Sequence, residues 1–167
     1  MEKYIHDAGM RASCKHDEAL VAHLTDWRDR GNELSDNLKL IAVSANLLRK
    51  RFGGRHLAKA YNLVPRVRAA YDKALEQYDL LMMPTTPMKA QPIPSPDAPL
   101  AERLQRSLEP TPNVQQFNIS GHPAMSVPCA MREDLPVGMM LVGRWYDEPT
   151  IYGVAHAFEQ AIDWRTT

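Results

Sequence analysis

Thiols, hydroxyls and imidazoles that fall close together in a chain are the first places to look for chemistry. Cys129 and His122 share the stretch FNISGHPAMSVPC, a thiol with a base nearby. A reactive thiol needs its pKa lowered by a cation, a metal or a helix N-terminus, and Cys129 instead closes an apolar run. Ser126 stands in AMSVPC. A serine nucleophile needs a base and a donor-rich turn such as Gly-x-Ser-x-Gly, and this context reads as a strand. Packing is therefore the preferred reading for both. The histidines, His6, His16, His23, His56, His122 and His156, are scattered and show no HExxH spacing, so no metal site is expected. His156 reads as a packing or partly exposed residue of the last helix. Asn113, Phe117, Asn118, Gly121 and His122 make a denser group. An Asn amide both donates and accepts, which suits a bound amide or a buried loop. Gly121 permits a positive φ and a close backbone approach.

The elements that must hold these residues follow from pattern. The first sixteen residues are polar and without pattern, an irregular segment. A helical run opens at Asp17, with Leu20, Val21, Leu24 and Trp27 on one face, and Gly31 stops it. Ser35 is placed to cap a second helix, whose stripe is Leu34, Leu38, Ile41, Ala42, Ala45 and Leu48. A third spans about Arg55 to Tyr78 and carries Pro65, which removes a backbone donor and should kink it. Together these fill 17–78.

Leu80–Met83 is a short, wholly apolar run, the look of a buried strand in a mainly parallel sheet. A Pro-rich ordered loop fills 84–99, and Leu100–Leu108 reads as a weak short helix. Asn113–Gly121 is a turn-rich approach. Strands at 124–129 and 137–143 are joined by a turn around Glu133-Asp134. A last helix, 147–163, starts at Asp147 with Pro149 in its first turn. Its core face is Ile151, Val154, Ala155, Phe158 and Ile162. The Met82-Met83 and Met139-Met140 pairs read as core filler, and Trp27, Trp145 and Trp164 as packing or rim residues.

Bulk properties narrow the class. The chain has 167 residues, 44% hydrophobic and 24% charged, with 20 Lys+Arg against 20 Asp+Glu. That is ordinary globular usage for one domain or a large part of one. The balanced charge gives no field to attract nucleic acid or anionic lipid. The basic cluster in Leu48–Arg55 reads as a solvated helix end rather than a phosphate site. Two cysteines, Cys14 and Cys129, make no disulfide framework, so a reducing cytoplasmic setting is the expectation. No apolar run is long enough to span a membrane, and the start MEKYIHDAGM is not a signal peptide. The fold class is α/β with too few strands for a closed sheet. Open edges predict self-association.

Three stretches carry a resemblance. NLVPRVRAAYDKALEQYDLLMMPTTP (Asn62–Pro87) pairs a long helix with Tyr-Asp, an apolar strand and Pro-Thr-x-Pro. FNISGHPAMSVPC (Phe117–Cys129) is the second. LPVGMMLVG (Leu135–Gly143) with DEPTIYGVAHAFEQ (Asp147–Gln160) is the third. In order and spacing they resemble the C-terminal end of the amidase-signature family. They are closest in look to bacterial amidases that accompany nitrile hydratases, and similar to the A subunit of the tRNA-dependent amidotransferase.

The resemblance implies part of a mixed sheet flanked by helices, incomplete within residues 17–167. It implies hydrolysis of a small amide by a Ser–cis-Ser–Lys triad, without metal or organic cofactor. It also implies that Asn113, Phe117, Asn118, Gly121 and His122 lie near the substrate pocket. Two departures stand out. No Gly-Gly-Ser-Ser-Gly segment occurs: the one Gly-Gly, at 53–54, is followed by Arg55-His56. No triad residue is therefore assigned here, and an N-terminal amidase chain is the expected partner. A non-catalytic remnant and an amidotransferase piece are the rival readings. The second departure is Val114–Gln116, where related amidases often have a small polar residue and a Pro.

Overall fold

The computed structural model describes residues 29–166. The irregular start, the first helical run through Trp27, Cys14 and three histidines, His6, His16 and His23, lie outside them. The chain divides at Gly53 into two compact units.

In the described part of the first unit, a 3₁₀ turn at Gly31–Glu33 leads to helix α1, Asp36–Phe52. Ser35 occupies the N-cap position without a side-chain cap bond to the backbone. Its hydroxyl turns instead to the Asn37 side chain, whose Oδ1 also accepts from the Leu38 N–H at 2.9 Å. Gly53 ends the helix at φ 60°, a conformation that costs glycine little. The expected core stripe is not buried: Ile41 and Leu48 are 58% and 46% exposed. Periodicity reports which face is apolar, and burial needs a second surface to cover it.

The second unit begins with helix α2, Arg55–Leu75, which carries Pro65 inside it. Leu57 and Tyr61, at its start, are exposed, whereas Leu75 at its end is buried. Arg144 secures that end: its Nε donates to the Leu75 carbonyl at 3.0 Å and its Nη2 to the Tyr78 carbonyl at 3.1 Å. These bonds satisfy carbonyls that a helix C-terminus leaves open, with a cation where the helix dipole favours one.

Three strands follow, β1 (Leu81–Pro84), β2 (Ala124–Arg132) and β3 (Leu135–Val142), with spatial order β1-β3-β2 and every pairing antiparallel. This corrects the expectation of a parallel setting for Leu80–Met83. Leu81 pairs with Val142 and Met83 with Met140, and the strand alternates between faces. Met82 is 69% exposed and is not core filler, whereas Met140 is buried. β2 and β3 form a hairpin through Glu133 and Asp134, both at positive φ (52° and 60°). Such a pair of left-handed residues matches the right-handed twist of the strands. β2 shifts register between Pro128 and Ala130, leaving Cys129 as the extra residue of a bulge. Pro84 and Pro128 both lie on outer strands, where a missing N–H costs no ladder bond.

Each sheet face has its own core. On one face Val127 and Leu141 pack with Ile151 and Ala155 of helix α5, Glu148–Ala161. α5 opens at Asp147, whose Oδ1 accepts from the Thr150 hydroxyl at 2.7 Å. On the other face Met140 and Val142 pack with Phe117, flanked by Tyr71 and Val114. Phe117 belongs to helix α4, Gln115–Ser120, and helix α3 precedes it at Leu100–Leu108. The approach expected to be turns is thus a short helix, too brief to show a period in sequence.

A candidate amide-binding cleft between a short helix and the sheet

α4 holds the site because two features fix its end. Gly121 caps it at φ 80°, and its N–H donates to the Phe117 carbonyl at 2.8 Å. A Cβ there would stand 2.9 Å from the Trp145 indole, so both the backbone sign and the close ring require glycine. The Arg68 guanidinium lies over the Trp145 ring at 4.2 Å, and Arg68 Nε donates to the Ser120 carbonyl at 3.0 Å. α2, α4 and Trp145 are thereby braced together.

His122 is 4% exposed and fully bonded. Its Nδ1 lies 3.0 Å from Ser120 Oγ and its Nε2 3.1 Å from Asp72 Oδ1. The Asp72 carboxylate can only accept, so Nε2–H donates to it, while Nδ1 pairs with the Ser120 hydroxyl. Tyr71 and Trp145 enclose the ring, with centroids 5.7 and 6.2 Å away. The sequence Asp–His–Ser has the look of a hydrolytic triad. Its burial argues otherwise. Ser120 is 0% exposed, and a nucleophile that no carbonyl reaches cannot attack one. The line of bonds ties the end of α4 to α2.

Between α4 and the sheet lies a cleft of about 300 Å³. Phe117, Asn118 and His122 wall one side, and Thr85, Ser126 and Met140 the other. Of the five residues singled out in sequence, these three meet in the cleft. Asn113 does not: its Nδ2 donates to the Pro84 carbonyl at 2.9 Å, holding the loop before α4 to the end of β1. Gly121 acts through its cap and the indole beside it. Cys129, in the bulge, is free and does not line the cleft.

Asp72 escapes sequence reading, Thr85 enters it only as part of the Pro-Thr-x-Pro stretch, and Ser126 reads there as packing only. Asp72 is fifty residues from its partner, and nothing local marks it. Thr85 and Ser126 face each other with hydroxyl oxygens 2.6 Å apart. Their pairing depends on Gly138 of β3, where a Cβ would stand 2.9 Å from each oxygen. A glycine in a strand interior was the available signal, since it often marks a close approach.

A larger hollow, about 570 Å³, lies under the Pro-rich loop against Pro136–Gly138. Its walls include Pro87, Pro92, Pro94 and Pro110, which offer no N–H donors. Its cations are already matched, Lys89 by Glu133 at 2.5 Å and Arg106 by Glu109 at 3.6 Å. The smaller cleft, with free-facing amide and hydroxyl groups over an apolar floor, is the better small-molecule site.

The chain is similar to known proteins along most of its length. The family model described as Amidase matches residues 3–152. The chain is 40% identical over 153 residues to the protein of the nthA 5′ region of Rhodococcus erythropolis, covering 91% of this chain and 77% of that protein. It is 40% identical over 156 residues to an enantioselective amidase of Rhodococcus rhodochrous, 92% of this chain but 30% of that enzyme. The solved A subunit of the glutamyl-tRNA(Gln) amidotransferase of Thermotoga maritima superposes with a TM-score of 0.58 at 25% identity, over 76% of this chain and 27% of that one. The chain thus spans under a third of the length of these last two relatives. None of its described helices is long and apolar enough to cross a membrane. By the family match and by identity across nine-tenths of its length, this chain belongs to the amidase family, and it carries the C-terminal part of the amidase-signature fold.

Proposed function

We propose that the chain is the C-terminal segment of an amidase, forming one wall of the cleft in which a small carboxamide is hydrolysed to carboxylate and ammonia. The observation that carries this is the convergence of Phe117, Asn118 and His122 on one cleft beside the hydroxyls of Thr85 and Ser126. The Phe117 ring and Met140 offer an apolar floor to the acyl group. The Asn118 amide offers one donor and one acceptor to a carboxamide. Asn113 and Gly121 hold the loop and helix that present them.

The attacking groups lie outside these 167 residues, since no Gly-Gly-Ser-Ser-Gly segment occurs in them. An N-terminal amidase chain would supply the Ser–Ser–Lys triad. The substrate carbonyl carbon gains the serine oxygen, ammonia leaves, and water then releases the carboxylate. That chemistry requires no metal or organic cofactor, nucleic acid or membrane. The scattered cysteines fit a cytoplasmic setting.

The test is an ammonia-release assay on small aliphatic and aromatic amides, with the purified chain alone and after co-expression with the upstream gene product. Activity only in the co-expressed sample supports the reading. Turnover by the chain alone, surviving Ser126→Ala and Cys129→Ala, would overturn it. The likeness to the amidotransferase favours a second reading, a piece of that assembly, which predicts co-purification with further protein chains. A non-catalytic remnant predicts no complementing frame nearby and no activity in either sample.

A further inference from the structure

The Thr85–Ser126 hydroxyl pair has no structural task that a single hydroxyl would not meet. The strand ends beneath it are already joined, the Thr85 N–H donating to the Gly138 carbonyl at 2.9 Å. Ser126 is exposed, Thr85 half-buried, and both line the cleft. The oxygens stand 2.6 Å apart, so one hydroxyl donates to the other. The second hydroxyl proton is free, and lone pairs on both oxygens remain open. A carboxamide has the matching set, one carbonyl acceptor and N–H donors on adjacent atoms. Gly138 keeps the pair together by leaving empty the space a Cβ would take.

Resting on the amide-cleft reading above, we propose that Thr85 and Ser126 form a paired hydroxyl station that hydrogen-bonds the carboxamide of the substrate and orients it over Met140 against Phe117. The pair acts as a positioning and specificity element for primary amides. A ligand with the same apolar body and no carboxamide loses the contact.

Benzamide and its hydrocarbon counterpart toluene are the probes, titrated into the full chain and followed by amide chemical shifts of residues 117–126. Wild type is expected to bind benzamide weakly but saturably, and to prefer it to toluene. Thr85→Val, which keeps the shape, and Ser126→Ala, at an exposed position, each weaken benzamide by about two- to ten-fold, the range for one neutral hydrogen bond. Toluene binding is unchanged in both. Thr85→Ser keeps wild-type affinity, and Gly138→Ala weakens benzamide although both hydroxyls remain. If Thr85→Val and Ser126→Ala bind benzamide as wild type does, the hydroxyl station is wrong and the cleft reading survives. If Thr85→Ser is as weak as Thr85→Val, the methyl contact matters rather than the hydroxyl, and the station is again wrong. If wild type shows no saturable benzamide shift, the station is wrong, while the cleft reading stands or falls on the co-expression assay.

Discussion

His122 illustrates what single residues do here. An imidazole on an apolar stretch invites a catalytic reading, yet its two nitrogens are both occupied, by Ser120 and Asp72, and its ring is enclosed. Removing it leaves a buried hydroxyl without its partner and takes away one of the ties between α4 and α2. His122→Ala should destabilise the second unit by about 1–3 kcal/mol, the cost of an unmet buried polar group plus lost packing. Urea melts followed by tryptophan fluorescence would measure it. An unaltered midpoint would mean the bonds contribute nothing. Glu133 offers a pH test. Its carboxyl is held below the usual carboxylate range by the hydrogen bond from Lys89 and by that cation's charge. A depressed carboxylate stabilises the fold above its ordinary pKa and loses that contribution as pH falls through the lowered value. A carbon-detected titration should therefore show Glu133 ionised where free glutamate is not, and Lys89→Ala should return it to the ordinary range. Glu133 is fully exposed, so the effect belongs to the ion pair tying the Pro-rich loop to the hairpin and not to global stability.

Elements were legible where a local rule sufficed. Glu133-Asp134 between two apolar runs announced a hairpin, and the helical period found α1, α2 and α5. The pairing of β1 was not legible, because Leu80–Met83 looks the same beside a parallel or an antiparallel neighbour, and its partner β3 lies far along the chain. α4 was missed as a helix for its six residues, although its segment was singled out for its side chains. The three cleft residues legible in sequence came from one segment, through amide and glycine chemistry and the family resemblance. Asp72, Thr85 and Ser126 reach their partners through pairing that no local pattern encodes. The two glycine environments make a prediction at this scale. Gly153 lies inside α5 with nothing within 4 Å of where a Cβ would stand, whereas Gly121 has an indole at 2.9 Å and a φ of 80°. Gly153→Ala should stabilise by up to about 1 kcal/mol through helix propensity. Gly121→Ala should destabilise by about 1–3 kcal/mol through left-handed strain and the ring clash. Thermal melts of both variants would decide, and equal shifts would refute the assigned roles.

At the scale of the whole molecule, the question is what a small open sheet does in water. β1 and β2 are the outer strands, each hydrogen-bonded on one side to β3 alone among the described strands. An outer strand with apolar, uncharged side chains is a template for another strand. β1 is the more exposed to this hazard, since its sequence LMMP has no charge, its proline stands only at the last position, and Met82 is 69% exposed. β2 carries devices that discourage pairing, a bulge at Cys129, Pro128 in the ladder and Arg132 at its end. Association should therefore run through β1. Sedimentation velocity across a concentration series should show the wild-type chain growing in average mass, and Met82→Lys should suppress that growth while leaving the melting temperature within about 2 °C, as expected for an exposed substitution. A Lys placed on the face of β2 instead, Ser126→Lys, should leave the association as it is. Were Met82→Lys to associate as strongly as wild type, the contact would lie elsewhere, with the exposed apolar side chains of α1 and α2 as the next surfaces to substitute.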